Sequence, residues 1–326
     1  MRRRSFMAGL LLGLAPFASA PALAQGDYPS EPIHIVVVWP AGGGHDLVGR
    51  LLGQELSAGM GVPVVVDNVT GAAGSTGLRH LENAAPDGYT IGIMGMHAVT
   101  QSFMNVNAPK LEDFTPLAYI ADEPGGLQVA ASTGIETVEA YVEAVRSDPF
   151  ATVNGNDAPG GNSFVFANVI REALGVEMMQ VPYQGHAATV TALATGEIQS
   201  STLPVPPVLE HVRAGTVRML AVAAPERHPL LPDVPTFAEA GHDIAVNDFI
   251  IVAAPDGLPE AVRARLEEGL LAAIGSEGFG ERASANGLVL RPGGADMAAE
   301  ELGRQVETIY PLLDSQGLVA EQLRRD

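Results

Sequence analysis

The chain has no cysteine. Disulfides, thiolate zinc sites, iron–sulfur clusters and a cysteine nucleophile are therefore excluded. It has one lysine, Lys110, which follows Pro109, so the Gly-Lys-Ser/Thr of a phosphate-binding loop is missing too. Cations of any kind are scarce: 18 Lys+Arg stand against 38 Asp+Glu, a formal charge of −20. A nucleic-acid partner is excluded, because phosphate contacts need clustered positive charge. No apolar run is long enough for a permanent membrane span, which takes ~20 residues. The Gly-x-Ser-x-Gly elbow of serine hydrolases is absent, and Gly74-Ser75-Thr76-Gly77 has the wrong spacing. The eight histidines are scattered, with no pair at helical i, i+4 spacing, so no metal site is expected.

What remains is a globular composition, 47% hydrophobic and 17% charged over 326 residues, enough for two domains. Arg2-Arg3-Arg4 precede an apolar run at 6–17, and Ala22-Leu23-Ala24 places small residues where a signal peptidase reads. Residues 1–24 therefore read as a secretory signal. Arg3-Arg4-Ser5-Phe6-Met7 also matches the twin-arginine export pattern, and both export routes stay open. Cleavage removes three arginines and no acid, which takes the charge from −20 to −23. With no cysteine there is no lipobox, so a periplasmic form without a lipid anchor is expected.

Beyond the export segment, short β-rich runs alternate with helical stretches. Strands are predicted at 33–38, 62–66 and 90–94, with amphipathic helices between them from Asp46 and after the turn at 71–74. This βαβαβ order predicts a parallel, right-handed sheet. The middle repeats the habit, with strands at 127–131, 151–154, 178–181, 198–202 and 218–224. The proline-rich stretch at 225–235 reads as a crossing segment, followed by a strand at 249–254 and two more helices. Two α/β lobes fit this order, each a mainly parallel sheet flanked by helices. The first comprises 25–125 and 248–326, and the second, 126–247, is inserted into it.

Glycine-rich turns follow the strands at 42–44, 71–74, 155–161 and 185. In parallel sheets such turns gather at the carboxyl edge, where ligands bind. Backbone N–H groups there, backed by helix N-termini, make an anion site that needs no side-chain cation. Gly42 and Gly44 with Asp67 also echo a dinucleotide fingerprint, although Leu47 stands at the third glycine position. An exported oxidoreductase is thus a rival to a receptor, and a ligand-sensing module without transport is a third reading.

Longer strings carry a resemblance. Tyr28-Pro29 with Pro32-Ile33, Pro40-Ala41-Gly42-Gly43-Gly44-His45-Asp46 with Arg50, and Val66-Asp67-Asn68 before Gly71-Ala72-Ala73-Gly74 come first. Pro86-Asp87-Gly88-Tyr89-Thr90, Asp113-Phe114-Thr115-Pro116, Val181-Pro182-Tyr183-Gln184-Gly185 and Pro232-Asp233-Val234-Pro235-Thr236 follow in order. Over about residues 28–320 the chain resembles the Bug, or TctC-like, periplasmic receptors of tripartite tricarboxylate transporters. The resemblance implies a two-lobe periplasmic binding protein fold of the type II kind. It implies a monomer that closes about a hinge on a small organic anion, with no catalysis and no cofactor. Family ligands are citrate-like acids, dicarboxylates, acidic amino acids or aromatic acids, and a membrane permease would recognise the closed form.

Carried over by position, the first-lobe site is the loop Ala41, Gly42, Gly43, Gly44, His45 and Asp46, with Met96 and His97 just past the third strand. Asp46 would cap the helix it precedes. The second lobe would supply Gly160, Gly161, Asn162 and Ser163, then Tyr183, Gly185, His186 and Ala187, and finally Thr202 and Leu203 facing the cleft. Three positions depart from the family pattern: Val165 where histidine is common, Phe249 for a tryptophan, and Asn154-Gly155-Asn156-Asp157 where small residues are common. His45 and His186 are candidates for a proton-dependent positive charge beside the anion.

Overall fold

A computed structural model describes residues 28–325. The expected export segment, 1–24, lies outside them. In β1 (Ile33–Val37) successive side chains face opposite ways, and all but the exposed His34 are buried and apolar. Ile33, Ile35 and Val37 pack with Val48, Leu52 and Leu56 of α1 (Gly44–Met60), while Val36 packs with Leu78 and Leu81 of α2 (Ser75–Glu82). A strand covered on both faces belongs inside a parallel sheet. β1 indeed pairs in parallel with β2 (Val64–Asn68) and β3 (Thr90–Met94). Each buried aliphatic contributes about 2 kcal/mol, which holds the register that sets Ile35 between Val66 and Ile91.

After α3 (Met96–Met104) comes β4 (Phe114–Pro124), a strand that the sequence pattern does not predict. Pro116, Pro124 and the acids Asp122 and Glu123 mask its apolar stretch. β4 runs almost directly into β5 (Gly126–Ala130) of the second lobe. That lobe continues with α4 (Val138–Ser147), β6 (Asn154–Asp157), α5 (Asn162–Leu174), β7 (Gln180–Tyr183), α6 (His186–Thr195), β8 (Ser200–Ser201), α7 (Val205–Arg213) and β9 (Val217–Val222). The chain returns through β10 (Asn247–Pro255) and closes with α8 (Glu260–Ile274), α9 (Glu277–Ala285), β11 (Val289–Gly294) and α10 (Ala295–Ser315). The first sheet has the order β11-β4-β10-β3-β1-β2, and the second β7-β6-β8-β5-β9.

The fold is therefore two-lobed α/β, with sheets that are mixed rather than mainly parallel. Parallel pairing is confined to β1–β2 and β1–β3 in one lobe and β6–β7 and β6–β8 in the other. The reason is the connection. One strand pair leaves the first lobe and another returns alongside it, so β4 meets β10, and β5 meets β9, antiparallel. At the junction Gly125 N donates to Val246 O at 3.1 Å, and Ala223 N donates to Gly125 O at 2.7 Å. The proline-rich 225–235 is not the crossing. Its Leu230, Leu231 and Val234 pack onto Val205, Val208 and Leu209 of α7, inside the second lobe. The strand expected at 151–154 lies at Asn154–Asp157 instead. Its polar side chains hid it, and all four residues are buried because hydrogen bonds such as Asn156 Nδ2 to Gln180 Oε1, 2.7 Å, satisfy them.

Candidate functional site

Four of the helices that begin immediately after a glycine start where the lobes meet: α1 after Gly43, α3 after Gly95, α5 after Gly161 and α6 after Gly185. No side chain of those glycines can cap them, so first-turn N–H groups remain for other acceptors. Two of the helices belong to each lobe, and their starts face one another. A β-carbon placed on Gly42 would touch Ala187 at 3.4 Å, and one on Gly185 would touch Pro40 at 3.2 Å. Thr100 of α3 donates to the carbonyl of Gly160 across the gap.

Three acids lie among these helix ends, all at most 1% exposed: Glu123, Asp157 and Asp248. None was foreseen as a site residue. Glu123 and Asp248 are register partners on β4 and β10, so their side chains share a face. The alternate residues, Asp122 and Asn247, bond each other at 2.7 Å on the other face. Asp248 sits at the start of α3, where its Oδ1 accepts from Met96 N at 2.6 Å and its Oδ2 from Asn162 Nδ2 of the other lobe at 2.7 Å. Asp157 lies at the start of α5 and meets His186 Nε2 at 3.3 Å. Glu123 lies against Gly44 at the start of α1, so closely that any side chain there would collide with it. Neither Glu123 oxygen has a hydrogen-bond partner.

Burial and then the neighbouring Asp248 push the Glu123 carboxyl up to about 8. Burial also raises Asp157, but the His186 imidazole and bonds from Ser163 outweigh it and hold that carboxyl below its usual range. His186 is raised in turn: burial opposes its charge, and Asp157 more than compensates. Burial lowers His45, against the pull of Asp248, and lowers His97 further, with His45 adding to the effect. The two histidines are shifted in opposite directions: Asp157 favours the proton on His186, and burial disfavours one on His45.

The positions expected from the sequence are brought together unevenly. Gly43, Gly44, His45, Gly185 and His186 line one small cavity between the lobes, with Trp39 and Asp157. Its volume is about 10 Å³, room for about one water. Ala41, Gly42 and Ala187 are exposed at its rim. Asp46 is engaged in holding the loop: it accepts from Gly42 N at 3.2 Å and Asn68 Nδ2 at 3.0 Å and pairs with Arg50 at 2.8 Å. Gly43, not Asp46, is the N-cap of α1. Met96 enters through its N–H alone. His97 stands edge-on to Trp39, at 5.6 Å, and to His45, at 5.4 Å. Gly161, Asn162 and Ser163 form the start of α5, where Asn162 Oδ1 reaches His186 Nε2 at 3.0 Å.

Three expectations fail. Tyr183 turns away from the cleft, packs with the Leu193 and Ile198 cluster, and donates to Glu197 at 2.9 Å. Tyr183 is the last residue of β7, and its side chain packs along the strand toward α6 rather than over the turn at Gly185 that reaches the cleft. Leu203 is a core residue beside Val205 and Val208, and Gln128 and Gly126 occupy its backbone groups. Thr202 supports the site from behind, donating to Ser163 O at 2.9 Å. Asp67 takes His34 Nδ1 at 2.7 Å on the outer side of β2, so no ribose-binding acid faces the Gly42–Gly44 loop. Two of the missed acids have a local signal, since Glu123 follows the apolar end of β4 and Asp248 precedes the apolar run of β10, whereas Asp157 lies in a polar stretch.

A larger cavity, about 580 Å³, lies on the opposite face of β4 and β10, beside Asp122, Asn247 and Arg291. Arg291 is paired with Asp122 at 2.9 Å, and none of the helix starts described above opens into this cavity except through Met96. Most of the unsatisfied buried polar atoms, those of His45, His97, Glu123 and Asp157, gather at or beside the small cleft, which is the candidate site.

The family described as "Tripartite tricarboxylate transporter family receptor", TctC, matches residues 48–299. Protein BugT of Bordetella pertussis is 29% identical over 292 residues, 88% of this chain and 89% of that one. The structure of the periplasmic binding protein BugD superimposes with a TM-score of 0.85 at 26% identity, covering 90% of this chain and 99% of that one. The structure of R. palustris Rpa4515 with adipate gives the same TM-score of 0.85, 26% identity and the same coverage, 90% and 99%. Among the described residues no helix is long and apolar enough to cross a membrane.

Proposed function

Because the chain belongs to the tripartite tricarboxylate transporter receptor family, whose relatives include a periplasmic binding protein, we propose that it captures a small organic carboxylate between its lobes. It would act outside the cytoplasmic membrane, as a monomer without cofactor or catalysis, and present the closed form to a permease. The observation that carries this reading is the meeting of two helix N-termini, α1 of one lobe and α6 of the other, across one cleft, with the starts of α3 and α5 just behind it. The amides of Gly44, His45 and Asp46 are first-turn donors without intrahelical acceptors, and those of His186 and Ala187 face them. A carboxylate held by both sets gains its full complement of bonds only when the lobes meet, so binding shifts the open–closed equilibrium. The bound adipate of the Rpa4515 structure supports the ligand class.

The cavity as it stands admits about one water, so the lobes must part for a dicarboxylate to bind. The junction at Gly125, Ala223 and Val246 is the place for that motion. The net negative charge does not forbid an anion, because screening confines its field to ~8–10 Å, and helix-end attraction is local. The test is a thermal-shift and fluorescence titration with adipate, malate and other organic acids. Trp39, the one tryptophan, lines the cleft and reports on it directly. A ligand at 100 times its dissociation constant stabilises by about 2.7 kcal/mol. Response to a sugar or an amine and to no acid would overturn the proposal.

A further inference from the structure

We propose that His45, Glu123 and Asp248 bind one divalent transition-metal cation, of the zinc and manganese class, in the first lobe at the floor of the cleft. This goes beyond the receptor reading and stands whether or not the solute is a carboxylate. Three elements deliver the donors: the start of α1, the end of β4 and the start of β10. Their ligand atoms all lie within 4.8 Å of one another. His45 Nδ1 is 3.7 Å from Glu123 Oε2, and its Nε2 is 4.0 Å from Asp248 Oδ2. Around an ion with bonds of about 2.1 Å, neighbouring donors stand roughly 3.0–3.4 Å apart. The imidazole offers the ion one of its two nitrogens, so a turn of the His45 ring and shifts of the carboxylates from separations of up to 4.8 Å bring the three donors together.

The second observation is the state of the donors. Glu123 is 0% exposed and His45 3%, and both Glu123 oxygens and His45 Nε2 lack any hydrogen-bond partner. Buried polar atoms are almost always satisfied, so three orphaned ones within one cluster call for a ligand. Glu123 and Asp248 are moreover directly opposed across antiparallel strands, an arrangement that repels without a cation. Among the described residues no arginine or lysine pairs with either acid. A dication neutralises the two carboxylates, and the imidazole nitrogen selects transition metals over magnesium and calcium. His97, with both ring nitrogens unpartnered, packs its ring 5.4 Å from that of His45 beside the cluster. Asn162 Nδ2 already orients Asp248 from the second lobe, as outer partners of metal ligands do. Gly95 leaves the space: a β-carbon there would lie 2.6 Å from His45 Nε2 and 2.7 Å from Asp248 Oδ1.

The test is calorimetric titration of the chelator-treated full chain with Zn²⁺, Mn²⁺ and Mg²⁺, supported by the visible spectrum of the Co²⁺ form. One transition ion per chain is expected, with little response to Mg²⁺. Glu123→Gln and His45→Ala should each weaken binding by more than about 100-fold and abolish the Co²⁺ bands, while circular dichroism of the metal-free variants stays native. His34→Ala, which breaks an exposed His–Asp pair, should change nothing. No stoichiometric ion, binding unaffected by the cleft variants, or loss in His34→Ala alone would overturn the proposal. Organic acids titrated in chelator tell the two readings apart, since an acid response without metal binding defeats this inference and leaves the receptor intact.

Discussion

Each acid in the cleft meets the cost of burial in its own way. Asp248 collects hydrogen bonds from Met96 N and Asn162, Asp157 takes the charge of His186, and Glu123 has neither. The Asp157–His186 pair makes a pH prediction. The raised His186 contributes stability that is complete below its unfolded value, about 6.5, and is lost as pH rises through the folded value. The lowered Asp157 contributes stability present above its unfolded value, about 3.9, and lost as pH falls through the folded one. The pair is therefore strongest between about pH 4 and 6.5. His186→Ala should cost about 3 kcal/mol at about pH 5.5 and less at about pH 9, measured by urea unfolding. Equal costs at both pH values would show that packing, not charge, is what His186 supplies. At this scale His45, Gly43, Gly44, Gly185 and His186 were legible, because glycine after a strand and a residue opening a helix are local signals. Glu123 and Asp248 were not: 125 positions apart in sequence, they become neighbours only through the register of β4 on β10.

At the scale of elements, the site is a set of helix starts whose caps lack side chains. Gly44 shows why. Glu123 occupies the space a β-carbon would need, so the helix end and the acid approach only because that position is glycine. Gly44→Ala should lower stability by about 1–3 kcal/mol through overpacking. Adding Glu123→Ala should recover most of it, a coupling that a double-mutant cycle measures directly. Additive costs would mean that Glu123 moves aside freely. The helices and the parallel strands of the first half follow from the 3.6 and 2 periods of their apolar residues. β4 and β6 escaped the pattern because prolines, acids and amides interrupt one and make up most of the other. Tyr183 and Leu203 were misplaced for a related reason: a turn motif locates a backbone, and packing decides which way its side chains point.

On the scale of the whole molecule, the two lobes touch at the rim of the cleft, where Gly42 and Ala187 come within 3.4 Å by their β-positions. A disulfide holds its β-carbons about 3.5–4.5 Å apart, so a small opening at the rim, together with strain at the left-handed Gly42, admits one. The chain has no cysteine of its own, so the double variant Gly42→Cys, Ala187→Cys would carry a single pair of thiols. Oxidised, it should lose the thermal shift with whichever organic acid stabilises the wild type, and reduction should restore it. Binding by the oxidised form at the wild-type rate would show that the solute has a path that needs no opening.

The acidity of the chain excluded nucleic acid from the sequence alone, and the missing cysteines removed whole classes of chemistry. The order of strands, turns and helices specified two α/β lobes, since hydrophobic period and turn chemistry are properties of neighbouring residues. Ordered family strings supplied the receptor class. The tertiary structure alone decided that the sheets are mixed, because an outgoing and a returning strand must run antiparallel. It alone brought Glu123 to Asp248 and His45, and Asp157 to His186, because burial and cross-strand register belong to no single stretch of the chain.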